Sequence, residues 1–264
     1  MLMEVKNQIK VLFLSIKYNI MREMINGVSF ILKVVMMMLN NASFIIQWIV
    51  LFSLKDSFGG FVFKDVMLIW GISASSYGIS HLLFAGVGYI PSYIENGQLD
   101  TFLIQPKSTL LMAAVSKTEI SALGDLLYGL IVGLIFWHRP TDILLFILFS
   151  ITGAIIYTAH RVILSSFTFW FFKSSDAAET IRSIFLNFSL YPQNIFSKAI
   201  KVLMFTLIPA GIAIYLPVLT IRSFNITYML IVFMFAIFIS ILATYMFNKG
   251  LKKYDSSNLM NART

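Results

Sequence analysis

Apolar residues run through this chain in long stretches separated by short polar ones, and several of the stretches have the length of a membrane span, which needs roughly 20 apolar residues. The pattern predicts a first span from about Gly27 to Leu54 and a second from about Asp65 to Val87. A third runs from about Ile120 to Trp137 after an amphipathic approach from Thr109, a fourth from Ile143 to Phe172, and the last from Ile226 to Phe247. His138-Arg139-Pro140-Thr141-Asp142 reads as a tight turn beside Trp137, where interfacial aromatics collect. From Ser183 to Arg222 the pattern loses its regularity. Tyr191-Pro192, Pro209 and Pro217 interrupt it, and a proline inside a helix removes a hydrogen bond and kinks or ends the helix. An interfacial helix before Tyr191 and a broken fifth span from about Lys201 to Ile221 are expected. A re-entrant element, tolerated where protein buries the freed backbone groups, is the alternative. The expected fold class is all-α: a polytopic membrane protein of about six transmembrane helices.

The first 26 residues behave differently. Val5, Ile9, Leu12, Ile16, Ile20 and Met24 recur at spacings of three and four and so share one helical face, while Lys6, Lys10, Lys17 and Arg22 are scattered between them. This fits an amphipathic helix lying at the cytoplasmic interface. A solvated leader that packs on a partner fits it too. No cleavable signal peptide is evident, because no basic head precedes a compact apolar core. The organisation expected is an interfacial helix over 1–26, a transmembrane domain over 27–248 and a cytoplasmic tail over 249–264.

Composition sharpens this picture. Of the 264 residues, 58% are apolar and 12% charged, too little charge to cover a soluble surface of this size. Six spans with short loops leave no room for a separate soluble catalytic domain. The absence of cysteine excludes disulfides and thiolate sites, and His81, His138 and His160 fall in no metal-ligand spacing. A net charge of +8 would suggest nucleic acid in a soluble protein; in a membrane protein basic residues report topology. With the N-terminus inside, fourteen Lys and Arg fall on the inner side, Lys198 and Lys201 among them. Four fall outside: Lys55, Lys64, Arg139 and Arg222. Both termini are therefore expected in the cytoplasm. The chain contains no GxxxxGK[ST] phosphate loop, no HExxH and no Gly-x-Ser-x-Gly elbow, so no catalytic, nucleotide or metal site is expected.

Charges within a span are costly and usually paired or functional. Asp125 in the third span and Arg161 in the fourth stand at comparable depth with opposite sign, and an ion pair between them is expected, with a purely structural pair or separate snorkelling of each as the alternatives. The polar segment over 91–107 is richer. Gly97 can end one short helix and Asp100 can cap the next. Leu99, Phe102 and Leu103 would then form a small apolar face, closed by Pro106. Such a face is either a docking knob for a partner groove or a loop packed under its own bundle.

At this segment the sequence resembles a family. The pattern Ile94-x-x-Gly97-x-Leu99-Asp100-x-x-Leu103-x-x-Pro106 is similar to the cytoplasmic loop of ABC type-2 exporter permeases, in particular the bacterial six-span subgroup that works with a separately encoded ATPase. Tyr191-Pro192, Pro209 and Pro217 resemble that subgroup's proline-marked region, and Lys253-Tyr254-Asp255-Ser256 its basic-Tyr-x-Ser tail. Gln105 departs from the pattern, since the family often carries Arg before the proline. The resemblance implies a permease subunit in the bacterial cell membrane, paired with an identical or sister permease and with a cytoplasmic ABC ATPase dimer that would use the ATP and Mg. Ile94, Glu95, Gly97, Leu99, Asp100, Phe102, Leu103 and Pro106 would then couple the two, and the direction would be export. A transporter driven by an ion gradient and a membrane immunity protein are the rival readings.

Overall fold

The computed structural model describes residues 2–137, 139–171 and 175–255; His138 and the last nine residues of the expected tail lie outside them. Twelve α-helices follow in order: α1 (Leu2–Met24), α2 (Gly27–Leu54), α3 (Phe63–Phe84), α4 (Ile90–Glu95), α5 (Asp100–Leu103), α6 (Thr109–Ala114), α7 (Ser121–Ile135), α8 (Pro140–Ser166), α9 (Ser175–Phe188), α10 (Lys198–Phe205), α11 (Leu216–Arg222) and α12 (Ile226–Leu251). Among the described residues the only β pairing is an isolated bridge between Phe58 and Phe61. The chain is an all-α polytopic membrane protein.

The helix boundaries follow local chemistry. The Asn26 side chain accepts from the Ser29 amide at 3.1 Å and so separates α1 from α2. Asn225 opens α12 in the same way, accepting from Thr227 at 2.9 Å. Pro140 occupies the first turn of α8, where its missing amide hydrogen costs nothing. Four stretches are long and apolar enough to cross a bilayer: Gly27–Leu54, Phe63–Glu95, Pro140–Phe169 and Ile226–Leu251. The other two apolar elements are shorter. The 15 residues of α7 span about 22 Å, less than the roughly 30 Å of a bilayer's hydrocarbon core.

α3 forms the axis of the bundle. Inside the protein it is 78% buried, against 11% for α2 and 22% for α12, whose outer faces are apolar and exposed. α7 packs on one side of α3 and α8 on the other. Small residues permit this closeness: a Cβ added at Gly78 would lie 2.6 Å from the Leu126 amide nitrogen, and one at Gly129 would lie 2.7 Å from the Gly71 carbonyl oxygen. Hydroxyls stitch the other side, with Ser76 donating to the Ser150 carbonyl at 3.1 Å and Ser80 meeting Thr158 at 2.7 Å.

The helix expected at the interface before Tyr191 instead runs through the bundle: α9 starts beside Gly88 and Pro91 at the knob end and leads to Asn194 at the opposite loop, and the run from Lys198 onward takes the re-entrant path. Asn194 donates to the Gly59 carbonyl at 2.7 Å, and Lys201 donates to Asn194 at 2.9 Å. Arg222 donates to the Gly60 carbonyl at 3.1 Å. The start of α10 and the end of α11 therefore meet the same loop, at the end of the bundle opposite the segment over 91–107. Between them the chain turns at Thr206–Pro209, passes through a wide π turn at Gly211–Tyr215, and returns. The turn reaches α8, where His160 Nε2 donates to the Leu207 carbonyl at 3.2 Å. The break expected around Pro209 and Pro217 is present, but the run from Lys201 to Ile221 folds back instead of crossing. Lys198 and Lys201, assigned by sequence to the inner side, accordingly lie with Lys55 and Arg222. Among the described residues the asymmetry of basic residues narrows to ten against six.

Candidate functional site

The segment over 91–107 is built as a compact knob at one end of α3. After α3, a 3₁₀ turn over Ala85–Tyr89 leads into α4, with Pro91 in its first turn. Gly97 then adopts φ +67°, a left-handed conformation that glycine enters without a steric penalty, and so ends α4 as expected. Asp100 is the first residue of the four-residue α5; the cap position falls to Leu99, whose side chain cannot accept. Tyr93 secures the knob from below: its hydroxyl meets Ser116 Oγ at 2.9 Å and its ring stacks obliquely on Phe102 at 5.2 Å. From the N-terminal helix, Asn19 donates to the Val115 carbonyl at 2.9 Å, tying α1 to the same end.

The expected apolar face is not presented as the sequence suggested. Leu99 is fully buried (0% exposed) in the core with Ile90 and Ala113, and Phe102 is half-buried against the same cluster. The inner half of the segment packs under its own bundle, while Leu103 (41% exposed) and Ile104 (85% exposed) stand out from it. Ile104 was overlooked, although the apolar pair Leu103-Ile104 ahead of Gln105-Pro106 signals it. Ile94, Glu95 and Gly97 are half-buried and Pro106 is exposed.

Asp100 faces the residues just beyond α12. Tyr254, just beyond α12, lies beside its carboxylate, and burial together with that carboxylate pushes the Tyr254 phenol up to about 12. Tyr254 also packs edge-on against Phe169 at 6.3 Å, and Phe169 against Phe247 at 5.5 Å. An aromatic column thus runs from α5 through the end of α8 into α12.

The expected ion pair between Asp125 and Arg161 is not formed. Asp125 Oδ1 accepts from Asn41 Nδ2 of α2 at 2.7 Å, and Oδ2 has no partner. The reason is architectural, because α3 stands between α7 and α8 and keeps the two charges on opposite sides of itself. Arg161 is buried (7% exposed), lies 5.9 Å above the Tyr157 ring, and leaves Nη1 without a hydrogen-bond partner. Above it α9 carries Glu179 and Arg182, which form an ion pair. Arg182 holds the Glu179 carboxyl below its usual value, and the pairing raises Arg182 in turn. Among the described residues no group of three or more His, Asp or Glu is placed to hold a metal.

Long apolar helices around a buried axis, a structured polar knob at one end and a hairpin re-entering from the other define a polytopic membrane protein. The profile of the ABC-2 family transporter proteins matches residues 38–258, and the chain belongs to that family. It is an ABC transporter permease. No curated protein and no solved structure matches the chain.

Proposed function

We propose that the chain is the permease subunit of an exporter whose ATP hydrolysis resides in a separate ATPase subunit, docked on the segment over 91–107. The observation that carries this reading is the pair Leu103 and Ile104, exposed on a knob whose base is locked by buried Leu99 and Tyr93. A rigid base with two exposed apolar side chains suits insertion into a groove on a partner. The family membership and the lack of a phosphate loop in the sequence support the division of labour, with ATP and Mg used by the partner. Two permeases, identical or sister, would enclose the path, and the exposed faces of α2 and α12 are available to lipid or to the second copy. The basic asymmetry supports a bacterial cell membrane location with both termini cytoplasmic. The motion of ATPase closure would enter through α5 and pass to α12 by the Asp100–Tyr254–Phe169 column.

The test is co-purification in mild detergent with the ATPase encoded beside the chain. Wild type retains it, and the double variant Leu103→Asp with Ile104→Asp loses it while keeping its thermal stability. Retention of the ATPase by that variant would refute the docking assignment. If wild type retains none, the reading as a permease served by that ATPase fails.

A further inference from the structure

Two cavities lie side by side beneath α9. One has a volume of about 570 Å³, within the range of small-molecule sites, and its walls are almost wholly apolar, with Ile163, Phe167, Ile181 and Phe238 among them. The other, about 260 Å³, is polar and is lined by Arg161, Arg182, Asp176, Glu179 and Ser165. Leu164 and Ala178 line both, so the two spaces meet at those residues. Arg161 lines the polar cavity without an ion pair to any described residue: the nearby Glu179 carboxyl feels its charge but pairs with Arg182, and Arg161 Nη1 is buried without an acceptor. A buried guanidinium N–H without an acceptor is expensive, and a charge-assisted bond to an anion relieves that cost. Arg182, which also lines the cavity, is paired with Glu179, whose side chain is exposed.

We propose that these cavities form one binding site for an anionic amphiphile, its anionic head held by Arg161 and Arg182 and its apolar chain lying in the larger cavity under α9. The position suits such a ligand, because the polar cavity lies at the knob end of α8, with Gly88 and Pro91 in its wall, and the larger one opens along apolar helices. Binding needs only this chain, so the inference does not depend on the transport reading.

The test uses the full-length chain in a neutral detergent and counts retained ligand by native mass spectrometry. The probes are phosphatidylglycerol and phosphatidylcholine with the same acyl chains, dodecyl phosphate, and inorganic phosphate. Wild type retains phosphatidylglycerol over phosphatidylcholine by about tenfold or more, the worth of one charge-assisted hydrogen bond. Arg161→Gln removes that preference, and Ala178→Phe, which blocks the junction of the cavities and leaves both arginines in place, lowers retention of phosphatidylglycerol. If Arg161→Gln does not fold, Arg182→Gln at the partly exposed wall shows the same loss in smaller degree. Displacement of phosphatidylglycerol by dodecyl phosphate assigns a site open to soluble amphiphiles; resistance to displacement assigns a bilayer lipid. Equal retention of the two lipids by wild type, an unchanged preference in the folded arginine variants, or competition by inorganic phosphate as strong as by dodecyl phosphate would overturn the proposal.

Discussion

Asn41→Leu tests how the bundle handles a carboxyl group inside it. Asn41 on α2 and Asp125 on α7 are both buried, 6% exposed each, and joined by a single bond of 2.7 Å. Asp125 Oδ2 already lacks a partner, so removing the Asn41 amide leaves the whole carboxyl group unsatisfied. Stranding a buried polar group costs about 1–3 kcal/mol, whereas replacing both partners by apolar groups of similar shape is nearly neutral. For a protein of this size each kcal/mol moves the melting midpoint by about 2–4 °C, so Asn41→Leu lowers it by roughly 2–12 °C. Asp125→Leu alone strands only the amide and costs less. The double variant, Asn41→Leu with Asp125→Leu, recovers most of the loss. The assay is thermal unfolding in a fixed detergent, followed by tryptophan fluorescence, on wild type and the three variants. A double variant that melts at or below the Asn41→Leu midpoint would refute this account, because the cost would then arise from packing between α2 and α7.

Further outcomes follow from other parts of the bundle. Gly129→Val forces a side chain against the Gly71 carbonyl and separates α3 from α7; it lowers the melting midpoint and the yield of folded protein, while Gly27→Val, in open space, leaves both near wild type. Leu99→Asp buries a charge in the core of the knob and destabilises the protein outright, in contrast to the surface variants at Leu103 and Ile104. The Glu179 carboxyl is held low by Arg182, so their pairing contributes above the ordinary carboxylate range and is lost as pH falls through the lowered value. Hydrogen exchange of α9 therefore accelerates on acidification in wild type, and Glu179→Gln removes that pH dependence; an unchanged dependence in the variant would assign it elsewhere.

The long spans were legible because lipid leaves a plain record in sequence: uninterrupted apolar runs such as Ile226–Leu251, bounded by capping residues such as Asn26 and Asn225. The short elements left no such record. A four-residue helix like α5 has no periodicity to show which of Leu99, Phe102, Leu103 and Ile104 turns inward, and only packing on Tyr93 and Ile90 decides it. The path from Ser183 to Arg222 was undetermined because a broken crossing and a re-entrant hairpin bury the same apolar residues around the same prolines. Asn194, bonded to Gly59, selects between them, and nothing in its sequence neighbourhood announces a partner 135 positions away. Asp125 and Arg161 were singled out correctly as costly charges, but depth and sign say nothing about which helix stands between them. Asn41 borders the middle of a span in an Asn-x-Ser pattern and gave no sign of its role.

The hairpin formed by α10 and α11 carries a consequence for biosynthesis. Its turn leaves the Leu207 carbonyl to be capped by His160 of α8, and the hairpin's own Tyr215 hydroxyl in turn caps the carbonyls of Phe188 and Tyr191 at and beyond the end of α9. Lipid offers those carbonyls nothing. A nascent chain cannot release this hairpin into the bilayer as an independent unit; it has to hold it at the translocation machinery until α8 and α9 are docked. The assembly order is thus written into a few acceptor groups, and α12, which follows, completes the core with Val232, Ile239 and Phe247.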